Sequence, residues 1–204
     1  MKTKNAPEKE VHPIVGTFLT GIPVILCIIG TVTCTSEKQS RTIEIKESEL
    51  TVQVSCNGDS EKDNYLFSRS YRNAVVVDSF RRELPYPVYR FEVGDVDGNG
   101  IDDIAVGVIK PTRYDPEVNR RIFLFQLQEG SIIPLWLGSR VSQPLHDFTL
   151  IPASGRCNVR TIESEKDGSC LVAEYEWLGF GLSFVRYIKR NIPLKAAMKT
   201  VNKR

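Results

Sequence analysis

The stretch YRFEVGDVDGNGIDDIAVGV, Tyr89 to Val108, decides how this chain folds. Its two ends, YRFEV and DIAVGV, are short and rich in β-branched and aromatic residues, and they read as strands. Between them stand Asp95, Asp97, Asn99 and Asp103, interleaved with Gly98 and Gly100. Asn-Gly is a turn signal, and glycine supplies the left-handed angles that such a turn requires. The unit is a strand, an acidic turn and a second strand.

The turn places oxygen-bearing groups at alternate positions. Asp95, Asp97 and Asn99 supply side-chain oxygens, the Ile101 carbonyl follows, and Asp103 comes two residues later. Carboxylates this close repel one another, and a hard cation offsets the repulsion. Calcium takes about six to eight oxygens, which suits this set plus water, whereas magnesium keeps more of its own water. Asp102 falls on the other side of the strand by alternation and is left out of the set. The bland alternative is a solvated acidic turn. An EF-hand opens with the same spacing, but it closes on a bidentate Glu between two helices. Here the closing position is Val106, and both flanks read as strand.

Phe91, Gly94, Asp95, Asp97, Gly98, Asn99, Gly100, Asp103 and Gly107 together resemble the FG-GAP repeats of integrin α-subunit propellers. The resemblance implies a loop joining two strands of a propeller blade. It also implies calcium ligation by Asp95, Asp97, Asn99, the Ile101 carbonyl and Asp103. It spans Phe91 to Gly107 in a single copy, so the family's ligand-binding role does not follow from it.

The surrounding sequence continues in the same style. RIFLFQLQ and SIIPLWLG follow the acidic loop, then HDFTLIP, CNVRTIE, CLVAEYEWL and LSFVRYIKR; IEIKESELTVQVSC and NAVVVDSF precede it. Clusters of Gly, Pro, Asn, Asp or Ser bound each run, and QEGS, EKDG and GFG are hairpin turns. From Val88 to about Lys189 the runs form two four-stranded units, the arrangement of propeller blades. The expected fold is all-β: propeller-blade-like antiparallel sheets, as an incomplete or degenerate propeller or a sandwich. No helical periodicity is expected beyond the N-terminal segment.

That segment, Val11 to Thr35, carries no formal charge apart from a protonated His12. It exceeds the roughly 20 apolar residues that a bilayer requires. It reads as an uncleaved anchor or as an export signal, and TVTC weakly resembles a lipoprotein processing site at Cys34. Either way, the remainder is expected on the membrane and outside the cytoplasm. The expected division is 1–35 anchor or signal, 36–46 polar linker, 47–190 β-domain and 191–204 basic tail, solvated.

With 204 residues and a net charge of +2, acids and bases interspersed, the chain has no basic field for nucleic acid. Catalytic constellations are not visible. His146 is one of two histidines and Asp147 points the other way on a strand; Cys157 with His146 can be drawn as a nucleophile pair, but ordinary strand residues is the simpler reading. Glu174 and Glu176 read as a solvated face alternating with Tyr175 and Trp177. Trp136, Tyr175, Trp177, Phe180, Phe184 and Tyr187 fill a β core or, near the glycine turn at Trp177 and Phe180, offer a protein or carbohydrate surface. Cys157 and Cys170 do not face each other in the hairpin that turns at SEKDG. The expected role is a calcium-binding interaction module for a protein or glycan at the cell surface. The alternative is an accessory or degenerate hydrolytic protein acting on envelope glycans.

Overall fold

A computed structural model describes residues 41–58, 60–138 and 140–202, with side chains from Ile43 onward. The N-terminal apolar segment, with Cys34, lies outside these residues. Among the described residues, no helix is long and apolar enough to cross a membrane.

Among the described residues, twelve strands form three separate four-stranded antiparallel sheets, each a simple meander. The first contains β1 (Arg41–Glu47), β2 (Leu50–Asn57), β3 (Asn64–Arg72) and β4 (Val75–Leu84). The middle sheet contains β5 (Val88–Gly94), β6 (Asp103–Lys110), β7 (Asn119–Gln128) and β8 (Ser131–Leu137). The last contains β9 (Leu145–Ala153), β10 (Arg156–Ser164), β11 (Cys170–Trp177) and β12 (Leu182–Ile192), and a helix, α1 (Leu194–Val201), follows it.

The sheets share cores in sequence order. Ile45, Val52, Val54 and Leu66 of the first sheet pack with Ile104, Val106, Phe123 and Phe125 of the middle one. The opposite face of the middle sheet, through Ala105, Ile122 and Leu124, meets Phe148, Val159, Leu171 and Trp177 of the last. A third cluster joins Ile162, Cys170 and Val172 to Ala197 and Val201 of α1. This layering accounts for the sequence texture. β6 and β7 are apolar almost without interruption because both their faces are covered, whereas β2 alternates because one face is. Gly107 is needed on β6 because a Cβ there would sit 2.6 Å from the Tyr89 ring.

The two four-stranded units expected from Val88 onward are present, and the three named turns join β7 to β8, β10 to β11 and β11 to β12. Glu129 and Gly130 make the first of these with φ of 52° and 80°. Three expectations change. A further sheet precedes the two units, and its strand β1 occupies most of the segment expected to be linker. Within it, β3 escapes a hydrophobic reading because Asn64, Ser68 and Ser70 occupy its buried side; the Ser68 hydroxyl donates to the Gly130 carbonyl at 2.6 Å. The supposed solvated tail is largely α1, which starts after Pro193, a residue that suits a helix start, and buries Ala197, Thr200 and Val201.

Candidate metal site

The acidic loop joins β5 to β6 across the Gly94–Asp103 pair. Its side chains organise its own backbone. Asp95 Oδ1 accepts the amides of Gly98 at 2.7 Å and Asn99 at 3.2 Å, and Oδ2 accepts Gly100 at 2.8 Å. Asp97 Oδ1 accepts the Asn99 amide at 3.0 Å, and Asn99 Oδ1 accepts Ile101 at 2.7 Å. Gly98 and Gly100 take φ of 81° and 86°; at Gly100 there is open space, so backbone conformation alone calls for glycine.

Asp103 differs from the others. It is 1% exposed, and its Oδ2 accepts the amides of Val96 at 2.8 Å and Asp97 at 3.1 Å. Burial, with the charges of Asp97 and Asp95 adding, pushes its carboxyl up to about 7 against two amide bonds that pull it down. Ligand oxygens of Asp95, Asp97 and Asp103 all lie within 4.8 Å of one another. The set therefore fits a hard, oxygen-seeking cation: it contains no sulfur or imidazole, and it is electrostatically strained without a positive charge. Asp95, Asp97 and Asp103 would hold the ion, and its charge would keep all three carboxylates ionised together. The Asn99 side chain instead accepts the Ile101 amide through Oδ1 and donates to Asp97 through Nδ2 at 3.1 Å. Asp102 is exposed and stands outside the cluster.

Two anchors were invisible in the sequence motif. Val96 is fully buried in the core between the middle and last sheets, pinning the loop by an apolar plug. The Cys157 amide on β10 donates to the Asp95 carbonyl at 2.5 Å. An apolar residue inside an acidic turn was the available signal for the first; the second depends on a tertiary contact.

The remaining candidates separate from this site. Burial first, then Asp102, Asp95 and Asp103, pushes the Cys157 thiol up, which works against nucleophilic use. Cys157 pairs across the sheet with Pro152, and Cys170 with Ser164, so the two thiols do not face each other. The His146 carbonyl accepts from Arg120, and Asp147 pairs with Arg90. Glu174 corrects the solvated-face expectation: it is buried, and bonds from Asn158 and Arg186 with the charge of Arg160 outweigh the burial that would raise it, leaving its carboxyl low. Glu176 pairs with Arg156. Trp177 is 5% exposed and belongs to the core with Tyr175, whereas Phe180 is 89% exposed.

No protein-family model, curated protein or solved structure matches the chain.

Proposed function

We propose that this protein is a membrane-tethered, extracytoplasmic β-domain that binds calcium at the β5–β6 loop and serves as a binding or interaction module. The observation that carries it is the convergence of the Asp95, Asp97 and Asp103 carboxylates within 4.8 Å on a loop pinned to the core. Calcium is preferred over zinc because every donor is oxygen, and over magnesium because the loop offers many protein ligands. The four-stranded meanders support the blade-like reading, and the FG-GAP resemblance rests on the loop residues from Phe91 to Gly107 alone. Membrane attachment rests on the uncharged length of Val11 to Thr35, with Cys34 as the lipid site if the segment is a lipoprotein signal.

Bound calcium fixes the β5–β6 register and, through Val96, the packing of the middle sheet on the last. The hydrolytic alternative draws less support: the Cys157 thiol is pushed up and Trp177 is buried rather than presented to a glycan. Thermal unfolding of the full chain in calcium and in excess chelator tests the metal reading. A calcium-dependent rise is expected, and identical curves would return the loop to an ordinary acidic turn.

A further inference from the structure

The edge strand β4 pairs with β3 alone within its sheet, and its two halves differ. Toward Leu84 it is tied down: Arg82 Nε donates to the Ile132 carbonyl of β8 at 2.7 Å, and Leu84 is buried. Toward the hairpin tip it is open. Val75, Val76 and Val77 are 64%, 51% and 50% exposed. The chain turns through Asn73 and Ala74 at φ of 51° and 64°, and a register shift leaves Val77 without a partner on β3.

Exposed edges are normally blunted by charge, proline or bulges. β12, the edge of the last sheet, shows that protection: its register shifts at three places, and it carries Arg186, Lys189 and Arg190. The β4 tip has a single register shift, at Val77, and shows three exposed β-branched residues in a row, with no cation between Arg72 and Arg81. From Val77 and Asp78 a groove of about 450 Å³ runs over the sheet, past Ser70 and Arg72 of β3 to the β1–β2 turn, and in it Glu47, Glu49, Asp78 and Glu129 outnumber the single cation, Arg72. The Glu47 carboxylate is engaged by the Glu129 and Gly130 amides. Glu49, Asp78 and Glu129 are exposed and form no ion pair among the described residues.

We propose that the β4 edge from Val75 to Asp78 docks an extended cationic segment of a partner protein by strand addition. Backbone groups of the open edge pair with the incoming strand, the valines meet its apolar side chains, and its lysines or arginines take the groove carboxylates. The charge complementarity selects a basic segment over an acidic one. This names a partner chemistry for the interaction role above and uses none of the calcium-loop residues.

The test uses the full chain, in calcium and again in chelator, with a labelled peptide alternating valine and lysine. A second peptide has the same side chains with N-methylated amides, which cannot add to a strand. Fluorescence anisotropy is expected to show saturable binding of the first peptide in both conditions, about tenfold weaker binding of the second, and about tenfold weakening by Glu49→Lys with Asp78→Lys. Both substitutions are at exposed positions, and an unchanged melting temperature verifies the fold. Absent binding, equal binding of the two peptides, or indifference to the double charge reversal overturns the proposal. So does concentration-dependent self-association abolished by Val76→Lys, which would make a second copy the occupant. Because binding is read in chelator as well, a failure of the calcium reading leaves this result standing, and the converse holds.

Discussion

The Asp103 carboxylate accepts the Val96 amide at 2.8 Å, so a buried acid at the start of β6 holds in place a loop residue that packs between two sheets. Electrostatics in the loop and packing in the core are thereby joined through one hydrogen bond. Disturbing either end is felt at the other.

Asp97→Ala removes a partly exposed carboxylate and leaves the Asp103–Val96 bond in place. At a hundredfold excess over Kd, calcium stabilises by about 2.7 kcal/mol, which for a domain of this size is a rise of about 5–10 °C. The substitution is expected to cut that rise by at least half while leaving the chelated protein little changed. Differential scanning calorimetry decides it: a full calcium response in the variant would remove Asp97 from the site.

Proton linkage gives a second outcome. The folded-state carboxyl of Asp103 is raised from an ordinary value of 3.8 to about 7, so between those limits the folded state binds more protons than the unfolded one. Stability of the chelated protein should therefore be fully present below about pH 4 as far as this group is concerned, and decline as pH rises toward about 7. Asp103→Asn keeps an acceptor for the Val96 amide and should flatten that decline; saturating calcium should flatten it too. Urea midpoints across the window are the measurement, and a decline of equal slope in the Asn variant would assign it to other groups.

A Cβ at position 107 would stand 2.6 Å from the Tyr89 ring and 2.8 Å from the Arg90 Cβ. Gly107→Ala is expected to destabilise by about 1–3 kcal/mol through overpacking, seen as a lower urea midpoint at unchanged slope. An unaffected midpoint would mean that β5 yields more easily than its packing implies.

Val201 is 4% exposed where α1 meets the last sheet. Val201→Asp places an uncompensated charge there and should lower stability by about 2 kcal/mol or more. Lys199→Asp, at an exposed position of the same helix, should stay within about 0.5 kcal/mol. Equal effects of the two would argue that the helix does not dock.

Much of the architecture was legible because hairpin turns and apolar runs are local signals. Glu129-Gly130, Asp167-Gly168 and the Gly179–Gly181 turn divide β7 to β12 as the sequence suggests. The first sheet was harder, since β3 turns Ser68 and Ser70 inward and hides its alternation. α1 was masked by its short length of 8 residues and by its lysines and small residues, although Ala197 and Val201 keep the spacing of a buried stripe. In the acidic loop the aspartate spacing was readable directly. The roles of Val96 and the Cys157 amide were not, because both depend on which sheet comes to lie against the loop. The burial of Glu174 was concealed for the same reason: its partners Arg160 and Arg186 come from the strands on either side.

The middle sheet is lined with apolar side chains on both faces, and each neighbour on only part of its surface. During synthesis each meander can zip its own hairpins as soon as it emerges, since all pairing is between consecutive strands. A dry interface forms only when the following sheet arrives: Val52, Val54 and Leu66 stay wet until Phe123 and Phe125 are made, and Ile122 and Leu124 wait in turn for Phe148 and Leu171. Assembly thus has a built-in direction, amino end first, and α1 is the last piece to close over what the final sheet leaves uncovered.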